Sequence, residues 1–361
     1  MAPLDHFAAD YAAARAKFRA ACADAGVEVA GWPHPLKGVN GEALATDTAW
    51  IGPADATRVL VTCSGTHGVE GFYGSACQVG WLREGGPRAL PAGTAVLAVH
   101  ATNPYGFSWM RRVNEDNIDI NRNFLDFDRP LPVNRGYLDV ATWLEPREWN
   151  AGTTRAIATR LADYAAAHGA RALSAAVSAG QHTHPHGLFY GGTAPCWSNR
   201  TMGEIVSRYL DGATHVCVID FHTGLGPYGH SEIICRHPTG SEPLALARRW
   251  FGEAVTSPEA GESESPVIEG NLRMAFTRWL PEATVVAAAI EVGTLPAAEV
   301  QTALLADNWL HTHGDPDTEA GRRIQRQLRD AFYPDRDNWR DRCYPRAQQI
   351  QRAALAGLAS I

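Results

Sequence analysis

Two apolar runs separated by a glycine-studded helical stretch constrain this chain more than any other feature. RVLVTCS (58–64) and GTAVLAVHA (93–101) have the length and branched-residue content of strands buried on both faces, and the stretch near 69–84 between them has helical spacing. Strand, helix and strand in that order make a βαβ unit, whose strands lie parallel in a sheet covered by helices. Further strand candidates are THVCVIDF (214–221), SEIICRH (231–237) and TVVAAAIEV (284–292). Helical pattern covers 5–25, 153–180, 198–211 and most of the tail from Pro296. The expected fold is therefore α/β: one large domain over 1–361 with a mixed, mostly parallel, twisted sheet flanked by helices. The N-terminal helix and the helical tail 296–361 pack on that domain. Residues 101–152, rich in Asn, Pro, Arg and Asp, are expected to form a long irregular functional loop region, and SPEAGESESP (257–266) a flexible surface loop. Arg322, Arg326 and Arg329, at helical spacing, read as a solvated face.

Composition narrows the function classes. A net charge of −7 gives no basic surface for a nucleic-acid backbone. No apolar run approaches the roughly 18 residues of a membrane-spanning helix. The first residues, MAPLDHFAADYAAARAKF, carry early acids and no apolar signal core. The seven cysteines form no C-x-x-C pair, and Cys63, Cys217 and Cys235 sit in strand-like runs as small hydrophobes. These features point to a reducing cytoplasm and no disulfide framework.

The turn after the first strand, SGTHGVEGFYG (64–74), admits two ligand readings. A dinucleotide fold grips pyrophosphate at this place, but its fingerprint requires G-x-G-x-x-G. Here Gly65, Gly68, Gly71 and Gly74 are spaced by three, the next strand ends in VHATN without an acid for a ribose, and no P-loop motif occurs. The metal reading starts from His67 and Glu70, an H-x-x-E pair. With 14 histidines in the chain about one such pair arises by chance, so position must decide. The pair lies at the carboxyl end of a strand, where open α/β sheets place their sites. His222, in VIDFHTGLGPYG, lies at the end of another buried strand before another glycine-rich turn. Two histidines and a glutamate with a position open to water are the ligands of a catalytic zinc. Each residue taken singly also has a structural reading, His67 capping a turn and His222 bonding backbone. His182, His184 and His186 in QHTHPHG are rival ligands on a loop with no strand to fix them.

NPYGFSWMRRVNEDNIDINRNF (103–124) adds anion chemistry. An arginine fork matches a carboxylate bidentately and a neighbouring asparagine adds a neutral donor, a pairing that Asn121-Arg122-Asn123 offers in one short turn. Arg111 and Arg112 supply a separate cation, and Asp119 and Asn121 share one side of an extended stretch. With these pieces in order the chain resembles the zinc carboxypeptidase family, in a bacterial-type, carboxypeptidase-like branch. The matches are HGVE (67–70), NPYG (103–106), RVN (112–114), IDINRNF (118–124), the strand-end His222 and Glu291 in AAAIEVGT; together they span 64–294. Asn117 stands where the family has glycine and, like glycine, tolerates left-handed φ.

The resemblance implies one Zn2+ per chain bound by His67, Glu70 and His222. Asp119 would hydrogen-bond the free nitrogen of His67. Arg112 would stabilise an oxyanion, Asn121 and Arg122 would hold the substrate's terminal carboxylate, and Glu291 would be the general base. An acid ending the apolar run VVAAAIE is costly unless it is paired or faces a cleft. The family also presents a tyrosine over the substrate. Tyr190 and Tyr228 are the candidates for it, each with a packing role as its alternative. The implied activity is a cytoplasmic metallocarboxypeptidase acting on small peptides, with neither nucleic acid nor membrane as partner. Two alternatives stand beside it: an N-acyl amino acid deacylase of the aspartoacylase/succinylglutamate desuccinylase type, and a non-catalytic carboxylate-binding zinc protein. The deacylase branch adds a C-terminal β domain, whereas the tail here reads helical.

Overall fold

The computed structural model describes residues 3–361. Eight strands form one mixed sheet: β1 (Val29–Lys37), β2 (Ala43–Ile51), β3 (Arg58–Ser64), β4 (Thr94–His100), β5 (His215–Thr223), β6 (Ser231–Cys235), β7 (Val255–Thr256) and β8 (Thr284–Val292). Their order is β1-β2-β4-β3-β5-β8-β6-β7. β4, β3, β5 and β8 run parallel through the centre, β2 and β6 join them antiparallel, and helices flank the sheet. The expected mixed, mostly parallel α/β sheet is the observed one.

The near-continuous apolar central strands are explained by what covers them. Along β3, Val59, Val61 and Cys63 enter the cluster beneath the helix Leu272–Trp279, while Leu60 enters the cluster beneath the helix Gly71–Arg83. Both faces are thus dry, and alternation disappears from the sequence. β1 and β2 are absent from the sequence reading for the converse reason. VAGWPHPLK carries two prolines, which a ladder tolerates only at an edge, and β1 is the edge strand. In β2 the buried Asp47 interrupts the apolar run, and its charge is met by the Arg15 fork at 2.7 and 3.0 Å. The first helix starts at Tyr11 and not at residue 5 because Asp10 caps it, accepting from the Ala13 amide at 2.7 Å. Helix Arg135–Leu144 interrupts the region expected to be irregular, and the tail forms helices Ala297–His313, Glu319–Phe332 and Asp337–Ala359. Among the described residues no helix is long and apolar enough to cross a membrane.

The glycine turn after β3 serves close approach. Gly65 has φ +65, and a Cβ added to Gly68 would stand 1.9 Å from the carbonyl carbon of Gly106. The glycines of HGVE and NPYG therefore meet backbone to backbone. The Gly68 and Val69 amides donate to the carbonyls of Arg112 and Arg111 at 3.2 and 2.9 Å, so three separate motifs are clamped together. Gly68→Ala must push this junction apart and is expected to destabilise the fold by about 3 kcal/mol. Urea denaturation would measure it, and an unchanged midpoint would contradict the close approach.

Two buried histidines away from this turn set an acid limit. His237 Nε2 accepts from the Ala287 amide at 2.9 Å, and His100 stacks on Phe18 with ring centroids 4.8 Å apart. Burial pushes both imidazoles down to about 4, and Arg273 adds to the effect at His237. The unfolded chain protonates them near 6.5 and the folded one only near 4, so their contribution is whole above pH 6.5 and is lost as the pH falls toward 4. The loss is at most about 3 kcal/mol per histidine. Urea midpoints of metal-free protein at pH 7 and pH 4.5 should differ accordingly; equal midpoints would refute the assignment.

Candidate active site

Three carboxyl ends of neighbouring parallel strands, β3, β5 and β8, bring the site together. His67 ends the turn after β3 in extended conformation, and Glu70 closes the single helical turn that leads into helix Gly71–Arg83. His222 lies near the end of β5, and its register partner on β8 is Glu291, so both side chains leave the same face of the sheet. The observed register thus sets His222 beside Glu291 across two strands that are 69 residues apart in the chain.

The ligand atoms of His67, Glu70 and His222 all lie within 4.8 Å of one another, and all three residues are buried. His67 Nδ1 is 2.8 Å from Glu70 Oε1, His222 Nδ1 is 3.0 Å from Glu70 Oε2, and the two Nδ1 atoms are 3.2 Å apart. On the far side of each ring a carboxylate waits. Asp119 Oδ1 is 3.1 Å from His67 Nε2, and Asp220 Oδ2 is 2.6 Å from His222 Nε2, while Asp220 also accepts from the Thr66 hydroxyl at 2.7 Å. Each Nε2 thus faces a carboxylate outside the cluster, while both Nδ1 atoms turn inward toward Glu70. Arg112 Nη2 crowds the same His67 Nε2 at 2.9 Å, held there by its other bonds to Glu70 and Asp119.

Two imidazole nitrogens and a carboxylate converging on one point are held together by a shared positive charge, a proton or a metal cation. The charges around them point the same way. Burial opposes ionisation of Glu70, yet His67 and His222 hold its carboxyl well below the usual range. Burial likewise opposes charge on His222, but Asp220 and Glu70 raise its affinity for a proton. Asp119, buried too, is kept ionised by Arg112, His67 and Arg122. The donor set therefore fits a divalent metal ion of the kind that imidazole and carboxylate share.

The cluster opens into a cavity of about 130 Å³. Arg112, Asn121, Arg122 and Glu291 all line it. Asn121 Oδ1 accepts from the Leu272 amide at 2.9 Å, which leaves its NH2 group for the cavity. Arg122 is anchored to the carbonyls of Asn121 and Ser178 at 3.0 and 2.6 Å, and its Nε has no partner. Phe189, at φ +54, sets its ring against both Arg112 and Arg122, at 5.2 and 5.5 Å. Glu291 Oε1 accepts from the Leu225 amide at 3.1 Å. Burial, with Glu70 beside it, pushes the Glu291 carboxyl up to about 7.

Asn117 takes the left-handed conformation its position required, at φ +59. The two tyrosines are placed elsewhere. Tyr228 donates to Asn338 at 2.9 Å with Arg342 over its ring, and Tyr190 packs against the core while its carbonyl accepts from the Asp119 amide at 2.8 Å. Neither is part of the cavity lining, because each ring is already engaged by neighbours outside it. The loop histidines also stand apart from the ligand cluster: His182 Nδ1 bonds the Gly192 carbonyl at 2.6 Å, and His184 Nδ1 bonds Thr183 at 2.9 Å. The segment 257–266 is more than a surface loop, since Glu264, Ser265 and Pro266 form part of the cavity wall. Asp220, Arg236 and Arg273 are absent from the sequence reading. Asp220 was visible in DFH, two residues before His222 on one strand face. The two arginines carried no motif at all.

A His-Glu-His cluster at strand ends that could hold a metal ion, opening with Glu291 into a cavity, defines an α/β protein with a candidate metal site. The chain belongs to the DUF2817 family, described as proteins of unknown function, whose family model matches residues 7–346. No curated protein matches the sequence. Among solved structures, a carboxypeptidase A from Helicoverpa armigera is similar at 12% identity and TM-score 0.46, over 89% of this chain and 73% of that one. Bovine thrombin-activatable fibrinolysis inhibitor, in complex with tick carboxypeptidase inhibitor, is similar at 13% identity and TM-score 0.47, over 86% and 98%. An aspartoacylase family protein from Mesorhizobium loti is similar at 15% identity and TM-score 0.39, over 80% and 67%. Likenesses at this level transfer no activity to this chain.

Proposed function

We propose that this protein is a zinc-dependent hydrolase, with one ion per chain, that cleaves an amide bond next to a free carboxylate and acts on small peptides as a metallocarboxypeptidase. The observation that carries this reading is Glu291. It is 8% exposed, ends an apolar strand, and opens into the same cavity as His67, Glu70 and His222. Among the described residues no cation pairs with it, so burial has a cost that a purely structural role would not offset.

Zinc held by His67, Glu70 and His222 would supply a Lewis acid and bring the pKa of a water from 15.7 toward about 7. Glu291 takes the proton of the attacking water and delivers it to the leaving amine. Arg112, poised beside the cluster through Glu70 at 3.0 Å, donates to the oxyanion as charge develops there. Asn121 and Arg122 hold the terminal carboxylate, which fixes the distance to the scissile bond and restricts cleavage to a chain end.

The test is a substrate panel with added zinc: peptides with a free C-terminus, the same peptides amidated, and N-acyl amino acids. Release of the last residue from the free acids, with the amidated peptides intact, is the expected result. Acyl release alone would move the assignment to a deacylase of the aspartoacylase/succinylglutamate desuccinylase type. Stoichiometric zinc without turnover of any member would leave a carboxylate-binding zinc protein.

A further inference from the structure

The cavity holds more positive charge than the proposed reaction uses. Besides Arg112 and Arg122, its lining includes Arg236, just past β6, and Arg273, in the first turn of helix Leu272–Trp279. These two are 5% and 4% exposed, which is exceptional for arginine. Buried guanidinium groups are ordinarily matched closely by carboxylates, and here neither has a carboxylate within hydrogen-bond length. Arg236 has one acidic neighbour, Glu259 at 3.7 Å, beyond hydrogen-bond length, and otherwise donates to the Ser265 hydroxyl at 2.7 Å. Its Nε and Nη1 have no hydrogen-bond partner. Arg273 donates to the Ile234 carbonyl at 3.1 Å, its Nε is unpartnered, and among the described residues it forms no ion pair. Burial disfavours the charge on both; Arg273 and Arg122 add to this at Arg236 against Glu259, while Asp220, Glu291 and Glu259 partly offset it at Arg273.

The floor between them is cut for a ligand. Ala289 precedes Glu291 by two residues on the same face of β8, so a methyl group lies where a large side chain would fill the space. Its register partner Ile234 also lines the cavity, and the carbonyl of that residue anchors Arg273. The Leu272 amide, next to Arg273, holds Asn121. The group assigned to the terminal carboxylate and the second cation pair are thus joined through one helix start.

We propose that Arg236 and Arg273 form a second anion subsite, which selects substrates whose residue beyond the scissile amide carries an acidic side chain, aspartate or glutamate. The inference rests on the amide-hydrolase reading for the direction of the substrate, but the anion site itself does not require turnover. One carboxylate goes to Asn121 and Arg122, the other to the Arg236 and Arg273 forks, whose free N–H groups match its lone pairs.

Two measurements separate the two readings. Calorimetric titration of the zinc-loaded protein with L-glutamate, L-aspartate, L-glutamine and L-leucine is expected to give at least tenfold tighter binding of an acidic amino acid than of glutamine. Hydrolysis of peptides ending in Glu or Asp is expected to exceed that of peptides ending in Gln or Leu by about a hundredfold in kcat/KM. Arg236→Gln, which keeps a donor for Ser265, should cut both preferences at least tenfold. Acid-selective binding without hydrolysis would sink the hydrolase reading and leave the subsite standing. Hydrolysis with equal rates for Glu and Gln termini, or equal binding of glutamate and glutamine, would overturn the subsite. If Arg236→Gln does not fold, the ligand series on the unmodified protein decides alone.

Discussion

Glu291→Gln is expected to lower kcat on any cleaved peptide by a thousandfold or more while bound zinc stays stoichiometric. The substitution keeps the size of the side chain and can keep the bond to the Leu225 amide, at 3.1 Å in the native protein. What it removes is the lone pair that accepts a proton, and general base catalysis alone is worth roughly 10² to 10⁴ in rate. The same group serves twice in the proposed cycle, which puts the loss at the upper end of that range. The pH profile supplies a second check. Burial and Glu70 push the Glu291 carboxyl up to about 7, with His222 and Arg112 acting the other way. A divalent ion at His67, Glu70 and His222 attracts the carboxylate and lowers that value, so the acid limb of kcat/KM falls below pH 7. Full activity in the glutamine variant, or loss of its metal, would remove Glu291 from the role of base.

Zinc is expected to raise the unfolding temperature of metal-free protein by roughly 5 to 10 °C, and His222→Ala or Glu70→Gln to abolish the rise. The cluster presents two Nδ1 atoms 3.2 Å apart with a glutamate between them. A metal ion finds all three donors together only in the folded chain, because His67 and His222 are 155 positions apart. Binding to the folded state alone stabilises it by about 4 kcal/mol at a thousandfold excess over Kd. That corresponds to a few degrees per kcal/mol for a protein of this size. Scanning calorimetry with metal analysis reads both quantities. A chelator-treated protein whose melting is indifferent to zinc would refute the metal site.

What could be read in the chain was whatever depends on short range. Runs buried on both faces gave the central strands, strand-end turns gave His67, Glu70 and His222 as candidates, and Glu291 came from the resemblance to the zinc carboxypeptidases. β1 and β2 were illegible because their cue, proline at a tolerated edge and a charge met by Arg15, exists only once neighbours are in place. For Tyr190 and Tyr228, candidates that the resemblance suggested, the structure shows the packing contacts that were their alternative role. Segment 257–266 reads as solvent-exposed by composition, yet folding sets Ser265 against Arg236 at 2.7 Å.

By itself the sequence determined the kind of sheet, the corners at which polar groups gather, and the donor types gathered there, since these follow from hydrophobic run length and from chemistry a few residues wide. Only the tertiary structure decided that His222 and Glu291 stand side by side, that the glycines of HGVE and NPYG touch, and that Arg236 and Arg273 are buried in one cavity without a carboxylate in hydrogen-bond contact. Register, close approach and burial are properties of pairs of distant segments, and no local pattern of residues carries them.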